Sequence, residues 1–124
     1  MPRAIFSLLS LAILAVTSFG CSAITNKIDQ MTGVSEARRL QETGEPATAR
    51  ILEIWDTGMT VNDDPVIGLR VEVSRADGSV YTTTIAKSLV SRVHIPQFQP
   101  GETVAVRIDP QNSANVALDV YQYR

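Results

Sequence analysis

The sequence predicts a mainly β fold: a small antiparallel barrel of five to six strands, OB- or SH3-like, preceded by one short helix and a tether. Three observations carry this expectation. Ile67, Leu69, Val71 and Val73 alternate with Gly68, Arg70, Glu72 and Ser74, the period of two that buries one face of a strand. Short β-rich runs recur between clusters of Gly, Pro, Asp and Asn, the rhythm of an all-β sandwich or barrel. Those strands fall within residues 47–124, so a partly open barrel, which hides edges that invite aggregation, is the economical architecture.

The helix comes first. Ser35 can cap it with Glu36 in the first turn, and Glu36-Ala37-Arg38-Arg39-Leu40-Gln41-Glu42 consists largely of good helix formers. Gly44 stands where a left-handed C-terminal cap falls and Pro46 follows as a stop, which places the helix over residues 35–43. Arg50-Ile51-Leu52-Glu53-Ile54-Trp55 then reads as a strand ending at the turn Asp56-Thr57-Gly58. Met59-Thr60-Val61 is a short extended piece closed by Asn62-Asp63-Asp64-Pro65, a cluster of turn formers. After the alternating strand, Ala76-Asp77-Gly78 signals a hairpin, because Asp-Gly suits positions of positive φ. Residues 80–86 return as its partner, rich in β-prone threonine. Residues 89–95 carry no clear pattern. Pro100-Gly101 turns the chain into Val104, Val106 and Ile108, and Asp109-Pro110-Gln111-Asn112 turns it into a last strand with Val116, Leu118 and Val120 inward. Of the aromatics Trp55, Tyr81, Phe98, Tyr121 and Tyr123, Trp55 and Tyr81 are expected in the core, whereas Tyr121 and Tyr123, beside Gln122 and Arg124, are the candidate interaction residues.

The amino-terminal segment speaks to location. Arg3 gives a positive start, residues 4–16 are apolar apart from Ser7 and Ser10, and Thr17-Ser18-Phe19-Gly20 places a small residue before Cys21. These are the marks of a secretory signal peptide. With Cys21 directly after it, the segment resembles the lipobox of bacterial lipoproteins. The resemblance implies that the Cys21 sulfur receives a diacylglycerol and that Cys21 becomes the mature amino terminus. Lipidation would also remove a lone thiol from an oxidising compartment, since Cys21 is the only cysteine. Two alternatives stay open. One is an uncleaved anchor, because no charge falls between Arg3 and Lys27 and about 20 uncharged residues span a bilayer. The other is a freely secreted chain. The expected organisation is a signal peptide over 1–20, a lipidated cysteine and tether over 21–34, a short helix and linker over 35–46, and the β domain over 47–124. Within the tether, Ile24, Ile28 and Met31 stand at helical spacing before Thr32-Gly33 ends the pattern. The expected site of action is the bacterial cell envelope, outside the cytoplasm, with the lipid bilayer as partner through Cys21 and another envelope protein as an open second partner.

A second resemblance covers residues 44–119. Gly44-Glu45-Pro46-Ala47-Thr48-Ala49-Arg50-Ile51-Leu52, Asp56-Thr57-Gly58, Val61-Asn62-Asp63-Asp64-Pro65 and Pro100-Gly101-Glu102-Thr103-Val104-Ala105-Val106 resemble a small β domain common in uncharacterised bacterial membrane and envelope proteins. It implies the β domain and no activity, catalytic residue or ligand.

Composition narrows the chemistry. A net charge of −2, with Arg38 and Arg39 offset by Glu36 and Glu42, gives no electrostatic reason to bind nucleic acid. Asp56, Asp63 and Asp64, with Asn62, are weak metal candidates: a hard-cation loop needs oxygens at fixed offsets, and Asp63-Asp64-Pro65 lacks that spacing. Turn formation by these side chains is the competing reading. His94 is the only histidine, which rules out a two-histidine site, and no nucleophile-elbow motif joins it to Ser88, Ser91 and Asp109. Lys87 and Ser88 are adjacent on a strand and point to opposite faces. The expectation is therefore no enzyme and no cofactor. Two function classes remain: a non-catalytic interaction or structural module, which an exposed apolar patch would favour, and a small-ligand or divalent-metal binder, which a concave pocket with convergent polar groups would favour.

Overall fold

Alternation builds the centre of the molecule. In the computed structural model, which describes residues 27–119, β1 (Glu45–Val61) and β2 (Asp64–Ser74) form an antiparallel hairpin. β2 buries Ile67, Leu69, Val71 and Val73 completely or nearly so. It turns Arg70 and Glu72 to the opposite face, directly across from Glu53 and Arg50 of β1. Ion pairs of 3.0 Å (Arg70–Glu53) and 3.5 Å (Arg50–Glu72) line that wetter face. The pieces expected on either side of Asp56-Thr57-Gly58 are one strand. Pairing passes from Asp56↔Ile67 to Thr60↔Pro65, so the suspected turn is an irregularity within the hairpin and the reversal comes at Asn62 and Asp63. Both have positive φ (51° and 70°), the signature of a tight hairpin turn. Leu52 is an extra residue between Ile51↔Val71 and Glu53↔Arg70, a bulge that bends β1.

That bend lets β1 serve two neighbours. Its first half pairs with β4 (Thr103–Asp109) and its longer course with β2; β3 (Val80–Leu89) and β5 (Asn112–Leu118) complete the order β3-β2-β1-β4-β5, with every pairing antiparallel. Five strands are present among the described residues. The patternless stretch becomes a 3₁₀ helix, Arg92–Phe98, that drops Phe98 into the core beside Ile51, Leu69, Val71, Val106 and Ile108. The sheet is open, which corrects the expected barrel. Its edges β3 and β5 approach one another without a backbone ladder between them. Side chains hold the seam instead: the Tyr81 hydroxyl donates to the Ser113 carbonyl and the Thr83 hydroxyl to the Ala114 carbonyl (2.7 Å), occupying acceptors that a closing ladder would use.

The helix α1 (Val34–Thr43) lies across this seam and buries Val34 and Leu40. Its N-cap is Gly33, not Ser35, and no side chain caps it. Gly44 is extended rather than left-handed (φ −80°), which also departs from expectation. Close approach explains the glycine. A Cβ there would stand 2.4 Å from the Leu40 carbonyl oxygen and 2.9 Å from Cβ of Arg107. The stretch expected as tether is structured from residue 27 onward: residues 27–32 are helical, Thr32 is buried, and Lys87 Nζ donates to the Gln30 carbonyl at 2.9 Å. Among the described residues no helix is long and apolar enough to cross a membrane. Cys21, Tyr121 and Tyr123 lie outside the described residues.

Candidate functional site

Two surfaces of the domain have the shape and chemistry for contact. The first sits at the end of the β1–β2 hairpin. Register places Trp55 directly opposite Gly68, and the indole lies against that glycine: a Cβ at Gly68 would fall 2.3 Å from Trp55 Cε2 and Nε1. A glycine in mid-strand is a place where another group comes close to the backbone, here an aromatic ring. Trp55 was expected in the core, but it is 39% exposed. The alternation itself sends it out, because Ile54 pairs with Leu69 on the buried face and Trp55 takes the opposite one. Ile54, Pro65, Ile67 and Ile95 join Trp55 around a shallow, mainly apolar depression, and Val93, two residues before Ile95, is 77% exposed.

The acidic turn holds this surface together. The Arg92 backbone N–H donates to Asp64 Oδ1 (3.0 Å), and its guanidinium donates to the Asp63 carbonyl (2.8 Å). Val90 N–H donates to the Pro65 carbonyl (3.2 Å), so the 3₁₀ helix carrying Ile95 is clipped to the hairpin carrying Trp55. Asp56 Oδ1 accepts the Gly58 N–H at 2.7 Å, and the Thr57 hydroxyl donates to the Val66 carbonyl at 2.6 Å. Asp56 and Asp64, two of the metal candidates, thus have carboxylate oxygens engaged with backbone N–H groups, and Asp63 acts through its carbonyl. Among the described residues no group of three or more His, Cys, Asp or Glu stands together as a metal site would require.

The second surface is a groove of about 350 Å³ where the seam splays beneath α1. Thr84, Lys87 and Ser88 of β3 line one wall, Asn115 and Ala117 of β5 the other, and Ser35 and Glu36 the roof. Its rim is tied by a polar network. Arg39 donates to Glu36 and to Asp109 (2.8 Å), and Asn115 Nδ2 donates to the same two carboxylates at 2.6 and 3.2 Å. Hydrogen bonds from Arg39 and Asn115 hold the Glu36 carboxyl below the usual range. The Gln111 N–H, then Arg39, do the same for Asp109. Asp109, the acid weighed as a partner for His94, is therefore engaged by the helix. His94 sits half-buried in the 3₁₀ helix, its backbone N–H donating to the Ser91 carbonyl.

Sequence reading missed Arg92 and Gly68. A glycine breaking the polar side of an otherwise strict alternation was the available signal for Gly68. Arg92 lay in the patternless stretch and carried none. No family model, curated protein or solved structure matches the chain.

Proposed function

We propose that the chain is an envelope lipoprotein, held at the membrane through a lipid on Cys21, whose β domain is a non-catalytic interaction or structural module. The single observation carrying the module reading is the apolar surface around Trp55. An aromatic ring pre-seated on a glycine, with half-buried Ile54, Pro65 and Ile95 beside it and the buried Ile67 as floor, is the composition of an interaction hot spot. The polar constellation at the seam favours no chemistry, since its carboxylates already serve Arg39 and Asn115. A partly open OB-like arrangement is the finer architecture we infer, supported by the strand order and by β3 lying beside β5. The anchor is supported by the signal-like segment and the single cysteine.

Two measurements test this. A fatty-acid probe fed to cells should mark the wild type and not Cys21→Ser; equal labelling of both overturns the lipid anchor. Crosslinking in intact cells should yield adducts that Trp55→Ala loses while keeping its fold. An unchanged adduct pattern overturns the role of the patch. A second reading, a small ligand in the seam groove, is favoured by the Ser35, Thr84 and Asn115 side chains that converge there. Ligand-induced NMR shifts at Thr84 and Asn115, with Trp55 unmoved, would select it.

A further inference from the structure

Residues 27–32 cover β3 with one side and leave an apolar strip on the other. Ile28 is 52% exposed and Met31 is 47% exposed, one helical turn apart, while Thr32 faces the domain and is buried. Only residues 22–26 separate Lys27 from Cys21. Six Cα–Cα steps reach at most about 20 Å, so a lipid on Cys21 keeps this strip within about 20 Å of the bilayer surface, near enough to meet it. Its charge suits that place. Lys27 is exposed, and Asp29 is paired with Arg38 at 3.5 Å, which offsets the one negative side chain within the strip. An exposed apolar face with a basic residue at its margin is the make-up of an interfacial helix.

From this juxtaposition we infer that Ile28 and Met31 insert into the membrane interface and fix the orientation of the domain on the bilayer. This inference rests on the membrane anchoring proposed above. Because Gln30 and Gly33 pack directly on Lys87 of β3, the insertion is transmitted rigidly: the Lys87 end of β3 lies on the membrane side and the Val80 end points away from it. Val80, seven residues along β3 from Lys87, stands about 23 Å further from that contact.

The test uses the full chain, made in a lipidating bacterium and reconstituted into vesicles of phosphatidylethanolamine and phosphatidylglycerol. In a Trp55→Phe background, Met31→Trp and Val80→Trp each place one indole on an exposed site. Brominated lipid should quench the indole at 31 by about half or more, as for a helix lying at the headgroup–acyl boundary, and leave the one at 80 unquenched. No quenching at 31, or equal quenching at both positions, overturns the inference. Intact mass of the same samples reports the lipid separately. An unquenched indole at 31 on lipidated, vesicle-bound protein removes this inference and leaves the anchor standing. Protein that lacks lipid and stays in solution removes both. Circular dichroism of each variant confirms that the fold is kept.

Discussion

Adding one methyl group at Gly68 tests the Trp55 surface more sharply than removing the indole does. In Gly68→Ala the new Cβ would fall 2.3 Å from two ring atoms of Trp55 and 2.6 Å from a third, so the ring must lift from the sheet. Trp55 is 39% exposed, which leaves most of its surface covered. A tryptophan buries on the order of 150–250 Å², and losing roughly 60 Å² of cover costs about 1.5 kcal/mol at about 25 cal/mol/Å². Alanine is better than glycine in a strand interior by roughly 0.5–1 kcal/mol, which leaves a net loss of about 0.5–1 kcal/mol. In a Trp55→Ala background there is no ring to displace, and the same substitution should stabilise by roughly 0.5–1 kcal/mol. The sign reversal gives a coupling near 1.5 kcal/mol, readable from urea melts of the four proteins. Trp55 is the only tryptophan, so its emission should shift red in Gly68→Ala as the ring meets water. Gly68→Ala that is more stable than wild type, with unchanged emission, would refute the seating of the ring.

Other predictions address the core, the seam and the helix. Val71→Ala removes fully buried methyls and should cost about 1–3 kcal/mol in urea denaturation, whereas Arg70→Ala, on the wetter face, should stay within about 0.5 kcal/mol plus whatever its exposed pair with Glu53 contributes. Glu36 and Asp109 have lowered pKa values in the folded chain, so their stabilisation is complete above the ordinary carboxylate range and is lost as pH falls below about 4. Melting temperature should drop through that window more steeply in the wild type than in Asn115→Ala. Burial raises the Tyr81 phenol, so its contribution is complete below the ordinary tyrosine pKa and disappears as pH rises through and beyond about 10. Tyr81→Phe should abolish that alkaline loss and speed amide exchange at the edge of β5.

What the sequence made legible was local. The alternation through Val71 placed the inward face of β2 correctly, and Val104, Val106 and Ile108 did the same for β4. Helix α1 was foreseen to within a residue at its start. Relations between distant segments escaped. The Asp56-Thr57-Gly58 cluster has the composition of a chain reversal, yet pairing resumes beyond it because β1 gains more by continuing along β2. Gly44 carried the right residue for the wrong reason: crowding from Leu40 and Arg107, not positive φ, excludes a side chain there. Trp55 is expected inward as an aromatic of a small β domain, while the phase of its own strand points it outward. The apolar surface depends on which residue faces Gly68 and on Arg92 reaching Asp63 and Asp64, and neither follows from any single window of sequence.

The clasp between α1 and the last hairpin sets an order of events for the chain. Arg39 meets Asp109 across 70 residues and Asn115 meets Glu36 across 79, whereas Tyr81 and Thr83 reach β5 across 32 and 31. The β2–β3 hairpin, by contrast, closes over the few residues between Ser74 and Val80. Closing longer loops costs more entropy and slows the steps that depend on them. A chain emerging from a membrane amino terminus first would therefore expose α1 long before its docking surface exists. Helix α1 precedes every strand in the chain and is the last of these elements to find its place. Until β5 arrives, the seam edge of β3 stays open to other strands, and loss of β5 would leave it so permanently.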